Sequence, residues 1–287
     1  DGSNDYLAYA SFDNTHGTLT GAPFYINGME DEHISLNMPV IAAGTNIGFS
    51  VSFLDSDNNG TEEVYIGAPR SSDPSFGALS GTVSAHYPSS TGWSSELEHE
   101  INLSIVRHSA QFGYDVKQIG DFNNDNYPDL AILSYQHRHY DDSSVSQPSD
   151  CAYKGFGAVF IYLGSATGLP EKPSFRVHPK TGWNYPREVI GNFDFNGDGY
   201  DDILMGSLTW NDNDGGFQLV LGRDHTETGK TQGICDGVQE FAGGEGDEYL
   251  AHQLSSAGDI DGDGFDDIAV SAKYQEMGFF RQGVIWI

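Results

Sequence analysis

Asp194-Phe-Asn-Gly-Asp-Gly-Tyr-Asp-Asp202 and Asp259-Ile-Asp-Gly-Asp-Gly-Phe-Asp-Asp267 decide how this chain folds. Both read Asp-x-(Asp/Asn)-x-(Asp/Asn)-Gly-x-x-(Asp/Glu), and each runs directly into an apolar segment. Two further copies are Asp121-Phe-Asn-Asn-Asp-Asn-Tyr-Pro-Asp129 and Asp55-Ser-Asp-Asn-Asn-Gly-Thr-Glu-Glu63, while Asp1-Gly-Ser-Asn-Asp5 carries the second half of a fifth. Side-chain oxygens at alternate positions 1, 3 and 5 can fold around one hard cation, and the acid at position 9 closes the cage. Position 7 varies, as expected of a residue that offers only its backbone carbonyl. Position 6 is Gly60, Gly199 or Gly264, where the chain must bend into the left-handed region. Asn126 stands there in the remaining copy and tolerates that region best after glycine. An all-oxygen donor set selects calcium over zinc or copper. The first half matches an EF-hand loop, but the last acid comes at position 9 rather than 12 and a strand follows, so an EF-hand is excluded. One copy alone leaves a polar turn as an alternative; several in fixed register do not.

The expected ligands are therefore Asp55, Asp57, Asn59, Thr61 and Glu63; Asp121, Asn123, Asp125, Tyr127 and Asp129; Asp194, Asn196, Asp198, Tyr200 and Asp202; Asp259, Asp261, Asp263, Phe265 and Asp267; and, in the truncated copy, Asp1, Ser3 and Asp5. That makes four whole calcium sites and one partial. The 259 loop, with four acids at ligand positions, should bind most tightly, and the 55 loop, with neutral Asn59 at position 5, most weakly.

Counted from position 5, the copies recur at intervals of 58, 66, 73 and 65 residues, which signals a modular array. Each loop leads into a short apolar strand ending in small residues: 6–10, 64–68, 130–134, 203–207 and 268–272. A second strand follows after a variable loop and usually opens on glycine, as in 81–87, 157–163, 216–221 and 283–287. Weaker outer strands are expected at 174–177 and 238–241, and a strand precedes each loop, as in 112–119. Four strands per tandem unit is the blade pattern of an all-β propeller. The units divide as 1–45 (partial), 46–110, 111–182, 183–248 and 249–287 (partial), giving three whole and two partial blades of one domain.

The unit resembles an FG-GAP repeat, the blade of the integrin α-subunit head and of many secreted bacterial proteins. Phe112-Gly113 matches the FG element, Gly67-Ala68-Pro69 the GAP element, and Tyr162-Leu-Gly164-Ser-Ala-Thr-Gly168-Leu169 the exit from the third strand. Other units depart from FG and GAP, as at Tyr185-Pro186 and Gly206-Ser-Leu208, but keep the acid loops. The resemblance implies a calcium-binding propeller that closes with seven blades, so the chain is expected to be part of a longer polypeptide. A small propeller completed by strands from both ends is the alternative. A fold of this type serves adhesion, lectin and enzyme roles alike.

Lys plus Arg number 13 against 42 Asp plus Glu, a formal charge of −29. Ligand positions account for 15 of those acids, so the surface stays acidic after calcium binds. That argues against nucleic acid or an anionic membrane as partner. No stretch approaches the apolar length of a membrane span. Sites of this type imply millimolar calcium, hence an extracellular or cell-surface setting, where Cys151 and Cys235 could be bridged or remain two free thiols.

The acid loops join strands one and two of each unit at one face. The strand two–three loops and inter-unit links then lie on the opposite face, which in integrin-like heads binds ligand. Those segments differ from unit to unit and carry Arg70, His137, Arg138 and Tyr140, Trp183 and Tyr185, Trp210, and Tyr274. Aromatic rings beside polar and basic groups suit sugar binding. The 138–156 insertion is the longest of these loops. His137-Arg-His139 lacks a third transition-metal ligand at a diagnostic spacing, and Gly222 to Thr231 lacks the spacing and context of a phosphate loop. The expected function is non-catalytic, calcium-stabilised cell adhesion or recognition, secreted or surface-held, with a glycan or an extracellular protein as partner. A secreted polysaccharide lyase using His137, Arg138, Tyr140, Lys273 and Tyr274 is one alternative; a structural subunit of a surface assembly is another.

Overall fold

The structure, a computed structural model, describes residues 6–10, 22–27, 32–35, 45–72, 78–89, 92–93, 99–101, 109–138, 145–146, 156–178, 185–209, 214–225, 231–234, 238–243, 249–273, 276–277, 280–281 and 284–287. The described residues form strands, turns and bends, and among them no helix is long and apolar enough to cross a membrane.

Five sheets follow one another along the chain. The first holds β1 (Tyr6–Ala10), β2 (Ala22–Asn27) and β3 (Glu32–Ser35). The second holds β4 (Ser50–Leu54), β5 (Glu63–Ala68), β6 (Thr82–His86) and β9 (His99–Ile101), with the small hairpin β7 (Pro88–Ser89) and β8 (Gly92–Trp93) inserted before β9. The third is built on β10 (Phe112–Gln118), β11 (Leu130–Arg138), β13 (Phe156–Tyr162) and β14 (Phe175–Val177), with β12 (Val145–Ser146) in the insertion between β11 and β13. The fourth holds β15 (Glu188–Ile190), β16 (Ile203–Ser207), β17 (Gly216–Val220) and β19 (Val238–Ala242); β18 (Thr231–Ile234) lies between the last two in sequence. The fifth holds β20 (Leu250–Gly258), β21 (Asp267–Ala272) and β24 (Val284–Trp286), with the hairpin β22 (Glu276–Met277) and β23 (Phe280–Arg281) before β24.

Within each of the five, the main strands pair antiparallel in chain order. One departure crosses between sheets. β18 leaves the fourth sheet and pairs parallel with β14, and β12 pairs parallel with β18, so the third sheet becomes six strands wide.

Alternation along the strands fills both faces of each sheet. Leu130 and Ile132 of β11 join Tyr65, Val83, Phe112, Val116 and Phe160 in a core between sheets two and three. Their neighbours Ala131 and Leu133 turn the other way, to Val159, Val189, Ile203, Met205 and Val220, in a core between sheets three and four. Leu204, Leu219, Leu250, Leu254 and Val270 repeat the pattern between sheets four and five. Sheets packed face to face in chain order, with first strands β4, β10, β15 and β20 in successive contact, are consistent with a β-propeller.

Among the described residues, β10, β15 and β20 pair with no further strand on the side facing the preceding sheet, apart from the single bridges Gly81↔Phe112 and Gly215↔Leu250, and side chains of that sheet cap their amides. Val116 and Gln118 N–H donate to Ser50 Oγ (3.0 Å) and Ser52 Oγ (2.8 Å). Val189 N–H donates to Asp115 Oδ2 (3.0 Å), and Leu254 N–H to Glu188 Oε2 (3.0 Å). Ser50 Oγ–H in turn donates to Asp115 Oδ1 (2.9 Å). An exposed row of amides would otherwise template foreign pairing.

Candidate metal sites and the aromatic face

The four whole acid motifs, loops 1 (55–63), 2 (121–129), 3 (194–202) and 4 (259–267), join the first and second strands of sheets two to five. All four share one internal scaffold. The position 1 carboxylate accepts the N–H of positions 5 and 6, as from Asn59 and Gly60 to Asp55 (2.9 and 2.8 Å) and from Asp263 and Gly264 to Asp259 (3.1 and 2.9 Å). Position 5 accepts the N–H of position 7, as from Tyr127 to Asp125 (3.0 Å). Position 9 accepts the N–H of position 2: Ser56 to Glu63, Phe122 to Asp129, Phe195 to Asp202 and Ile260 to Asp267, at 2.8–2.9 Å. The chain turns left-handed twice per loop. Position 6 has φ of 88°, 71°, 87° and 92° at Gly60, Asn126, Gly199 and Gly264, as the sequence requires. Position 4 does so too, at Asn58, Asn124, Gly197 and Gly262, which the sequence argument did not anticipate.

The donor set fits a hard cation. One oxygen each of Asp55, Asp57 and Glu63 lie within 4.8 Å of one another, as do those of Asp259, Asp261 and Asp267. In loop 2, Asn123 Oδ1 at position 3 is screened from solvent and has no hydrogen-bond partner, an acceptor left over for a ligand. Burial drives up the carboxyl pKa of the position 9 acids Glu63, Asp129 and Asp202. Asp129 rises to about 8 and Asp202 to about 6, with Asp121 and Asp125, or Asp194 and Asp198, adding like-charge repulsion. Glu63 is raised for the same reasons. A divalent ion at the loop would offset both the burial and the repulsion.

Position 8, which the sequence argument treated as a spacer, joins neighbouring loops. Asp201 Oδ2 of loop 3 accepts the N–H of Asp121 at the head of loop 2 (2.6 Å), and Asp201 N–H donates back to Asp121 O (3.0 Å). Asp266 of loop 4 holds Asp194 of loop 3 in the same way, at 2.9 and 3.1 Å. Burial raises the Asp201 carboxyl pKa, and Asp121, Asp194 and Asp266 add to the shift.

The other ends of the first strands carry different chemistry. Aromatic rings run across the sheets there: Phe49 against Tyr114 (4.8 Å), Tyr114 stacked on Tyr135 (4.5 Å), Tyr135 against Tyr185 (5.3 Å) and Tyr185 stacked on Phe156 (5.1 Å). A cavity of about 550 Å³ opens beside this row, lined by Phe49, Tyr114, Lys117, Arg187 and His252 among others. Burial lowers the His252 pKa, and the charges of Lys273 and Arg187 lower it further.

The FG-GAP repeat family matches residues 253–287, which hold loop 4 and most of the fifth sheet. The chain is 29% identical to integrin alpha-6 of Gallus gallus over 167 residues and 30% identical to integrin alpha-6 of Homo sapiens over 168, in each case 58% of this chain. It is 27% identical to integrin alpha-PS5 of Drosophila melanogaster over 173 residues, 57% of this chain. This is an FG-GAP, integrin-α-like domain. The matched stretches make up 14%, 13% and 15% of those relatives' lengths, so the domain spans about a seventh of each.

Of the residues expected to recognise a ligand in this FG-GAP domain, Arg70 is exposed just past β5, and Tyr185 sits in the aromatic row at a φ of 57°. His137 is buried, 3% exposed, with its ring edge-on to Phe160 at 5.2 Å, so it packs within the third sheet. Arg138 ends β11, and Lys273 is exposed directly after β21. Tyr140, Trp183, Trp210 and Tyr274 lie outside the described residues, as do Cys151, Cys235 and the half-loop ligands Asp1, Ser3 and Asp5. Sequence reasoning missed Phe49, Tyr114, Tyr135 and Phe156; an aromatic residue at the start of a first strand was the available signal for Phe49 and Tyr114, but not for Tyr135 in β11 or Phe156 in β13. It also missed the seam acids Asp115, Glu188, Asp201 and Asp266.

Proposed function

We propose that this FG-GAP domain is a calcium-stabilised recognition module of a longer extracellular polypeptide, which binds a protein or glycan through the face opposite the acid loops. The observation that carries this reading is the contrast between the two ends of the sheets. One end repeats a single acid scaffold with little variation, whereas the other gathers rings and cations from different segments around a cavity of about 550 Å³. A scaffold needs sameness; a recognition surface needs difference. The five units, bounded at 45, 110, 182 and 248, would form part of a seven-bladed propeller, with calcium held by the ligands of the four whole loops and the truncated one. Arg70, Arg138, Tyr140, Trp183, Tyr185, Trp210 and Tyr274 are the proposed contacts; His137, buried against Phe160, is proposed to shape the sheet end behind them.

The test is binding of the purified domain to glycan arrays and to immobilised extracellular-matrix proteins, in calcium and in chelator. Arg70→Ala and Tyr185→Ala should weaken any interaction at least ten-fold by removing hot-spot contacts of about 1.4 kcal/mol or more. A ligand mapped to the acid loops, or affinity retained in both variants, would overturn the assignment.

A second reading draws on the same cavity. Tyr114, Lys117, Arg187 and His252 together could neutralise a uronate and move a proton, as a polysaccharide lyase requires. Release of unsaturated uronates from an acidic polysaccharide, lost in Arg187→Ala, would favour it over pure binding.

A further inference from the structure

We infer that cation binding at loops 2, 3 and 4 is coupled through the position 8 aspartates Asp201 and Asp266, whereas loop 1 binds on its own. The inference rests on the calcium reading above. Its basis is a reciprocal pair of hydrogen bonds found at both junctions. The head residue of one loop, Asp121 or Asp194, donates its N–H to the position 8 carboxylate of the next and accepts the N–H of that same residue, at 2.6 and 3.0 Å in one junction and 2.9 and 3.1 Å in the other. Further contacts accompany the pair. Gly197 of loop 3 lies so close under the Phe265 ring of loop 4 that a Cβ there would approach its Cε1 to 2.8 Å.

Position 8 lies between two proposed ligands, the position 7 carbonyl and the position 9 carboxylate. A cation in loop 3 fixes Tyr200 and Asp202, and thereby the orientation of Asp201 between them. Asp201 then holds the backbone of Asp121, whose side chain is the first ligand of loop 2. Loop 4 acts on loop 3 through Asp266 in the same way. Linkage makes the effect mutual: a cation in loop 2 must favour loop 3 by the same factor. Repulsion between neighbouring cations works against the coupling, but salt near 0.15 M screens it beyond about 8 Å.

The junction of loops 1 and 2 cannot do this. Position 8 of loop 2 is Pro128, which has neither an amide hydrogen nor a carboxylate. Ser56 O at position 2 of loop 1 accepts Ser165 N–H from the exit of β13 (3.1 Å), but loop 2 makes the same contact from Phe122 O to Arg223 N–H (2.9 Å) in addition to its reciprocal pair, so this bond is no substitute for the pair. Among the described residues, the direct hydrogen bond between the two loops is Asn58 Nδ2 to Asn126 O at 3.3 Å, which is exposed and joins positions 4 and 6, neither of them a ligand position.

The experiment is a terbium titration at 0.15 M salt, with emission excited through tyrosine. Tyr127 and Tyr200 place a sensitiser at position 7 of loops 2 and 3 only. Asp57→Ala serves as background, because Tyr65 lies next to loop 1 and would report that site. In this background, Asp263→Ala silences loop 4, and Asp266→Ala cuts the junction while leaving the loop 4 ligands in place. Both should move the emission midpoint to terbium concentrations about five-fold higher or more, the lower range of known couplings. Asp266→Asn keeps an acceptor for Asp194 N–H and should return the midpoint most of the way to the background value, which a general loss of folding would not allow. An unmoved midpoint in Asp263→Ala and Asp266→Ala, with calorimetry showing one fewer site in the former, would overturn the coupling alone. No terbium binding by the unaltered domain would overturn the calcium reading and the coupling together.

Discussion

Replacing Asp115 by alanine should loosen one seam between sheets in a way that can be worked out bond by bond. Asp115 is 8% exposed and accepts Ser50 Oγ–H at 2.9 Å, Val116 N–H at 3.1 Å and Val189 N–H at 3.0 Å. In Asp115→Ala, Val116 N–H keeps Ser50 Oγ as acceptor at 3.0 Å, and the Ser50 hydroxyl can turn to Val116 O at 3.4 Å. Val189 N–H loses its partner, and the part-exposed Lys117 ammonium loses an ion pair at 3.9 Å that contributes little next to solvent. A buried donor left unpaired costs about 1–3 kcal/mol, and relief from burying a carboxylate returns part of it. The expected loss is about 2 kcal/mol, or roughly 4–8 °C in Tm for a domain of this size. Asp115→Asn keeps a carbonyl oxygen for Val189 and should lose less than about 1 kcal/mol. Calorimetry in saturating calcium holds the metal contribution fixed. Hydrogen exchange adds the local readout: the Val189 amide should lose protection in the alanine variant and keep it in the asparagine variant. Equal melting temperatures for the two variants, or unchanged protection at Val189, would show that the seam does not depend on this carboxylate.

Chelation should lower the melting temperature, because each loop crowds acids that repel without a cation. By mass action each site contributes about 2.7 kcal/mol at calcium one hundred-fold above its Kd, and an unchanged melting curve in excess chelator would refute the structural role. Gly120→Ala should destabilise by more than about 1 kcal/mol, since Gly120 has a φ of 77° and its new Cβ would collide with the Asp201 carboxylate. Gly258→Ala, at a φ of 64° with nothing within 4 Å, should cost less, and thermal melts rank the two. Burial raises the Asp115 pKa in the folded state against the lowering effect of Lys117, and burial likewise raises that of Glu188 on β15, with Asp115 adding to the shift. A carboxyl raised on folding contributes stability that is full below its unfolded pKa, near 4, and is lost as pH rises through the folded value. The stability of the native domain minus that of Asp115→Asn should therefore fall with rising pH, as melts across the acid range would show.

The acid loops and the strands around them were legible because both are local. The spacing of oxygens along nine residues states the loop, and an apolar run ending in small residues states the strand after it. The strands expected at 6–10 and 203–207 are β1 and β16 to the residue. β11 runs past the expected Ser134 to Arg138, because pairing resumes at Arg138↔Phe156 beyond an irregularity. What escaped notice depends on distant partners. Thr231–Ile234 contains a glycine and no alternating pattern, and becomes β18 only because the outer edge of β14 is free to accept it in parallel. Asp201 and Asp266 look like spacers within their own loops; their partners lie 80 and 72 residues earlier. The aromatic row is likewise assembled from positions 49, 114, 135, 185 and 156, which no single window of sequence contains.

The seams between sheets are of two chemical kinds. Between sheets two and three, the hydroxyls of Ser50 and Ser52 cap the amides of β10, and Pro128 stands where a joining acid would be. Between sheets three and four, and again between four and five, a carboxylate acts at both ends of the first strand. Asp115 and Glu188 cap the amides of β15 and β20 near the aromatic face, while Asp201 and Asp266 hold the loop heads at the acid face. Neutral caps leave the first seam indifferent to the charge state of the loops. Carboxylate caps make the other two respond to it, since Asp201 is already pushed toward protonation by burial and by the acids around it. A cation that neutralises those acids would strengthen the hydrogen bonds holding sheets three, four and five together. The aromatic row crosses from sheet two to sheet four, so the rings it lines up would be aligned in part by cations bound at the far ends of the same strands.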